Sequence, residues 1–214
     1  MYLNFVAFNF VGSDTAAEER HYLDYHVGLA KRFPGVRMYL AGRVTGSRGA
    51  EPERFRAAIL GFDDTAAAGS AMQSEVVAAL VADTQAHLRD LISQSATCET
   101  IVAFDSRRKG EKCFAMAAEF GFEPGSGGPE TAERRYREVH VGIARRLPGL
   151  RGYMIGKLDG EPEAGRHRLA LLIFDSREAY RDAYRSTVGQ ELIRDEDATI
   201  RNARVWRIDA GVEL

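Results

Sequence analysis

Cysteine is nearly missing from this chain. The two present in 214 residues, Cys98 and Cys113, form no CxxC pair, so no disulfide scaffold is expected and a reducing, cytoplasmic setting is. Long apolar runs are missing too, since none approaches the ~20 residues that span a bilayer. The first residues, MYLNFVAFNFVG, have no basic start and contain two asparagines, which reads as a strand and not as a secretion signal. Neither sign of charge is in excess: 29 Lys plus Arg stand against 31 Asp plus Glu, which gives no electrostatic case for nucleic acid or an acidic membrane as partner. Histidine is scarce. The five, His21, His26, His87, His140 and His167, show no HxH or HExxH spacing, so no metal site is expected, and nothing singles out one as a haem ligand. There is no GxSxG elbow and no glycine-rich phosphate loop with its lysine. The expected partner is a small molecule and, beyond it, at most a second copy of the chain.

What is abundant is self-similarity. HVGLAKRFPGVRMY at His26–Tyr39 returns as HVGIARRLPGLRGY at His140–Tyr153. Over Arg20–Val44 against Arg134–Leu158 there are 12 identities in 25 positions, including Tyr22, His26, Pro34, Gly35, Arg37 and Tyr39. A weaker match follows, AAILGFDD against LALLIFDS, with the offset changed by two. This is a two-copy duplication and not a solenoid.

Both copies carry the same order of elements. Copy one reads as strand Tyr2–Val11, helix Thr15–Phe33 ended by Pro34-Gly35, strands Val36–Thr45 and Phe55–Phe62, helical sequence from Thr65 to Gln94, and strand Thr97–Phe104. Copy two reads as strand Lys112–Phe120, helix Pro129–Leu147, strands Leu150–Leu158 and Arg166–Phe174, helix Ser176–Leu192 and strand Ala203–Ile208. The charged SRRKGEK (Ser106–Lys112) marks the boundary, giving repeats 1–107 and 108–214, and Gly121–Pro129 reads as a flexible rim or lid. The expected fold class is α+β: two ferredoxin-like βαββαβ repeats packed sheet to sheet as an intramolecular barrel, because each sheet alone would leave one apolar face in water.

The first helix of each copy points to chemistry. Tyr22, Tyr25, His26, Leu29, Ala30 and Phe33 share one apolar stripe, as do Tyr136, Val139, His140, Ile143, Ala144 and Leu147, with charged residues opposite. Each histidine is thus turned toward the sheet, one turn after a tyrosine. An imidazole there needs hydrogen-bond partners, because a buried unsatisfied polar group costs roughly 1–3 kcal/mol. Two uses are open: a satisfied core histidine, or a neutral base that accepts a proton at one nitrogen while donating from the other. On the next strand, alternation puts Arg37, Tyr39, Ala41 and Arg43 on one face, and Arg151, Tyr153, Ile155 and Lys157 on its counterpart. If that face is the helix side, His26 with Tyr39 and His140 with Tyr153 form acid/base pairs. Tyr22 and Tyr136 would then help line the pockets, and Arg37 and Arg151 would hold a substrate carboxylate.

The helix histidine, the Pro-Gly, the strand tyrosine and the later GFDD (Gly61–Asp64) and IFDS (Ile173–Ser176) turns resemble the EthD-like branch of the dimeric α/β-barrel superfamily. The resemblance covers nearly the whole chain as two fused units. Related families include muconolactone isomerases, polyketide cyclases, ring-processing monooxygenases and haem-binding barrels. The resemblance implies aromatic, lactone or polyketide-like substrates and no cofactor, and it places His26, Tyr39, His140 and Tyr153 in pockets between helices and sheet. The expected function is a cofactor-independent lyase or isomerase of a small ring compound working by His/Tyr acid–base catalysis. The alternatives are a non-catalytic binding barrel and a cofactor-independent monooxygenase.

Overall fold

The computed structural model describes residues 1–46, 51–105, 110–123, 129–160 and 163–214. Positions 106–109 of the expected boundary and 124–128 of the expected lid lie outside them. The strands are β1 (Tyr2–Phe10), β2 (Val36–Val44), β3 (Arg56–Phe62), β4 (Leu88–Val102), β5 (Lys112–Phe122), β6 (Leu150–Leu158), β7 (Arg168–Phe174) and β8 (Ile200–Val212). Helix α1 (15–30) and its counterpart α4 (129–144) follow the first strand of each repeat. Helices α2 (Thr65–Met72) and α3 (Val76–His87) precede β4, and α5 (Arg177–Arg185) and α6 (Thr187–Thr199) precede β8. The βαββαβ order therefore occurs twice. Hydrogen bonds order the strands β1-β3-β2-β8-β5-β7-β6-β4, and β4 returns to β1, a closed antiparallel barrel as expected.

Contacts divide the chain into two compact units. One holds Met1–Thr97 and Ile208–Leu214, the other Cys98–Asp105 and Lys112–Arg207. Strand β4 thus passes from one unit to the other after Thr97, and β8 after Arg207.

Within the first unit, the unbroken apolar run of β3 is buried at every position, as a strand covered on both faces should be. On its helix side, Phe8, Phe10, Tyr22, Val27, Phe33, Tyr39 and Leu60 form one core. The second unit repeats this with the fully buried β7 and a core of Phe120, Tyr136, Val141, Leu147, Tyr153 and Leu172. Helix α1 starts where the Asp14 side chain accepts from the Ala17 N–H. It ends before Pro34 and Gly35, whose φ of 75° is the left-handed turn that glycine takes without cost.

The structure corrects two sequence expectations. Helix α3 stops at His87, not Gln94, and β4 begins at Leu88. The reason is pairing: Leu88–Thr97 runs antiparallel to all of β1, from Phe10↔Leu88 to Tyr2↔Thr97, and supplies that strand's second row of hydrogen bonds. In the second repeat the helical sequence instead runs past Leu192 to Thr199, and the strand spans Ile200–Val212, not Ala203–Ile208. The second correction concerns β2 and β6. Their registers shift between Val36 and Met38, and between Leu150 and Gly152, which makes Arg37 and Arg151 bulge residues. A bulge breaks the period of two, so neither arginine shares a face with its tyrosine.

Strand β2 approaches β8 closely at Gly42, which pairs with Ala210. A methyl group at Gly42 would run into the Asp209 carbonyl and the Ala210 Cα. Gly42→Ala is expected to lower stability by about 1–3 kcal/mol through overpacking. Urea unfolding checks this, and an unshifted midpoint would refute the close approach.

Candidate active site

Each first helix changes its winding where the site residues stand. Residues Tyr22–His26 and Tyr136–His140 form a π turn, in which the Val27 N–H donates to the Tyr22 carbonyl and the Val141 N–H to that of Tyr136. Such turns are rare and recur at functional sites. Here the turn brings the tyrosine and histidine rings into stacks with centroids 5.0 Å apart in both repeats, at interplanar angles of 21° and 19°.

Behind each imidazole is a carboxylate from the second helical segment. His26 Nδ1–H donates to Asp83 Oδ2 at 2.8 Å, and His140 Nδ1–H to Asp195 Oδ2 at 2.9 Å. Both aspartates are 7% exposed. Burial alone would raise their pKa values, but the bonds donated to them outweigh it. His21 and His26 hold Asp83 below the usual carboxylate range, and His140 and Arg135 do the same for Asp195. An ionised Asp83 fixes the tautomer of its neighbour: Nδ1 of His26 carries the hydrogen, and Nε2 keeps its lone pair. Burial also lowers the pKa of His26 below 6.5, against the opposing pull of Asp83, so the ring is neutral at pH 7. The result is a neutral, oriented base.

The tyrosines take the complementary role. Tyr39 is on the helix side of its sheet, with its hydroxyl 3.5 Å from that of Tyr22. Burial raises Tyr39 well above its ordinary value and raises Tyr22 as well. Tyr153 is raised well above 10 by burial, and Tyr136 is pushed up to about 12. All four stay phenols at neutral pH, so each keeps a hydrogen it can donate. On Tyr22 also rests the Arg56 guanidinium, 5.0 Å from the ring centroid, which itself pairs with buried Glu19; Arg168 lies over Tyr136 in the same way, at 5.6 Å, and pairs with Glu133 at 3.3 Å.

A cavity opens in front of each imidazole. The first unit's measures about 470 Å³ and is lined by His26, Tyr22, Tyr39, Asn4, Ser93 and Ser95 among apolar side chains. No Asp, Glu, Lys or Arg is among its described lining residues. The second unit's is smaller, about 290 Å³, and holds His140 and Tyr153 together with Glu196, Asp197, Arg201 and Arg207. Burial raises the pKa of Glu196 there. The structure thus gathers His26, Tyr22 and Tyr39 at one cavity and His140 and Tyr153 at the other. Arg37 and Arg151 line neither; they pair with Asp63 and Asp175, each at 2.8 Å.

Asp83 and Asp195 were not reached from sequence. The signal was there: once the offset between repeats has changed by two, Asp83 aligns with Asp195 in VADTQAHL against IRDEDATI.

No protein-family model matches the chain, and no curated protein matches it. Solved structures do. A protein from Fusobacterium nucleatum provisionally named a monooxygenase aligns over 98% of this chain and 91% of its own, with a TM-score of 0.73 and 12% identity. An anthrone oxidase-like protein aligns over 98% and 90%, with a TM-score of 0.58 and 11% identity. An EthD-family protein from Bacillus halodurans, 24% identical, covers 44% of this chain and 96% of its own, with a TM-score of 0.38. The full-length likenesses show the fold.

The histidine and aspartate shifts have a consequence for stability. A group whose folded pKa is depressed stabilises the native state above its unfolded pKa and loses that contribution as pH falls. For His26 the loss begins near 6.5, and for Asp83 it follows below 3.8. The thermal midpoint is therefore expected to fall as pH drops from 7 to 5, with a shallower slope in His26→Gln. An unchanged slope in that variant would show that His26 is not held neutral by burial.

Proposed function

We propose that this chain, a dimeric α/β-barrel protein of two fused ferredoxin-like repeats, is a cofactor-independent oxygenase of a small neutral ring compound, with its working base in the first repeat. The observation that carries the reading is the Asp83–His26 pair facing an uncharged cavity of about 470 Å³. A cavity of that size fits the usual range for small-molecule sites, and a lining without formal charge disfavours ionic ligands, whose desolvation it would not repay. The full-length likeness to proteins named for monooxygenase and anthrone oxidase activity supports the oxidative branch over an isomerase or lyase.

In this reading the substrate carries an acidic C–H beside a ring carbonyl. His26 Nε2 takes that proton. Asp83 stabilises the imidazolium that forms, as the buried carboxylate does in hydrolase triads. Charge moves onto the substrate oxygen, where the Tyr39 O–H donates a hydrogen bond that strengthens as the charge grows. The carbanion reduces dioxygen and combines with it. The imidazolium returns its proton to give a hydroperoxide, and loss of water leaves a new carbonyl. A CH₂ group and O₂ become C=O and H₂O, with every electron supplied by the substrate.

The test is turnover of a tricyclic anthrone with dissolved oxygen followed by electrode. One O₂ is expected to be consumed per ring oxidised. His26→Gln should cost about 10²–10⁴-fold in kcat/KM, Tyr39→Phe less, and His140→Gln little. In His26→Gln the rate should also lose its rise with pH through a value below 6.5. Product formed at an unchanged rate without oxygen would transfer the site to isomerisation or elimination. Full activity in His26→Gln would remove the proposal.

A further inference from the structure

We propose that His21, Asp83 and His87 form a divalent-metal site of the zinc type in the first repeat. Among the described residues, one ligand atom from each of the three lies within 4.8 Å of the other two. A tetrahedral centre with Zn–N and Zn–O bonds near 2.0–2.1 Å has edges of about 3.3 Å. The site therefore closes by side-chain rotation alone. His21 Nε2 and Asp83 Oδ1, now 2.6 Å apart, open slightly as the metal displaces the proton between them. His87, whose ring stacks on His21 at 4.0 Å, turns its Nε2 inward.

The surrounding contacts are those a metal site needs. Ligating histidines typically donate their other ring N–H to a carboxylate, and ligating carboxylates are themselves hydrogen-bonded. His87 Nδ1–H already donates to Glu18 Oε2 at 2.9 Å, and the second oxygen of Asp83 already accepts from His26. The His21 and His87 side chains are each 34% exposed, which leaves an entry path and room for a water as fourth ligand. Two imidazoles and a carboxylate suit zinc and its neighbours over calcium or magnesium.

The second repeat supplies an independent contrast. It keeps the aspartate as Asp195 but carries Arg135 at the place of His21, Thr199 at that of His87 and Ala132 at that of Glu18. There a single permanent cation, Arg135 at 2.7 Å, meets the carboxylate. One arginine is enough to pair an aspartate, so neutralising Asp83 does not by itself call for two histidines and a further glutamate. Metal binding does. The site shares Asp83 with the His26 pair, but its test does not rest on the oxygenase reading, because binding needs no turnover.

The chelator-treated chain should be titrated with Zn²⁺ by calorimetry, and with Co²⁺ while the visible spectrum is recorded. One equivalent of Zn²⁺ per chain is expected, with the absorption bands of low-coordinate Co²⁺. His21→Gln and His87→Gln should each weaken binding at least tenfold, and His167→Gln, a histidine elsewhere on the surface, should leave it unchanged. If either variant fails to fold, His87→Thr, the residue the second repeat carries there, gives the same readout. Binding of less than one equivalent, or binding that His167→Gln lowers as much as His87→Gln does, would overturn the proposal.

Discussion

A carboxylate and an imidazole, each poorly suited to an apolar interior alone, hold one another in place in both repeats. Removing the imidazole would leave a buried carboxylate short of a donor, and an unsatisfied buried group costs roughly 1–3 kcal/mol, more when it is charged. Asp83 is almost wholly buried yet stays ionised because two imidazole N–H groups point at it. That arrangement fixes the ring plane of His26, and the ring plane fixes which nitrogen faces the cavity. The π turn, the tyrosine stack and the guanidinium over Tyr22 are then consistent with one orientation of one ring. The contact is local to each unit, since every group in it comes from the first or the second helical segment of the same repeat.

Duplication preserved this frame while the cavities diverged. The first is free of formal charge among its described lining residues, and the second has taken on two acids and two arginines. Substitutions at Thr84 and Gln85, which correspond to Glu196 and Asp197, explain part of the change. A site for a neutral ring cannot accept such groups without paying their desolvation, and a site for a polar ligand gains from them. The conserved part is what orients the base. The altered part is what selects the ligand.

Most of the fold was legible in the sequence because it rests on periodicity and repetition. The 3.6-residue stripe set most of the buried face of the first helix, with Tyr25 and Val139 exposed against expectation, the Pro-Gly pairs set its end, and the repeated order of elements set the barrel. Two things were not. The Arg37 and Arg151 bulges each add a single residue, and nothing in the alternation of β2 or β6 marks where the phase slips. The start of β4 was missed because LRDLISQ has helical propensity, while its state is decided by an unpaired strand edge some 80 residues earlier in the chain. Asp83 lies between these cases. It is 57 residues from His26, so no motif contains both, and only the shifted alignment of the repeats brings it forward.

Burial acts in opposite directions on the two kinds of group that meet at the first cavity. It disfavours the charged form of each. For an imidazole that form is the acid, so His26 is pushed toward being a free base at neutral pH. For a phenol it is the base, so Tyr39 is kept as a donor. One apolar environment thereby separates proton acceptor from proton donor without a second device, as enzymes that run acid and base chemistry at one pH require. The Asp83 contact makes this usable. Without it a desolvated imidazole could be protonated on either nitrogen, and the tautomer with hydrogen on Nε2 would offer the cavity a donor in place of the base.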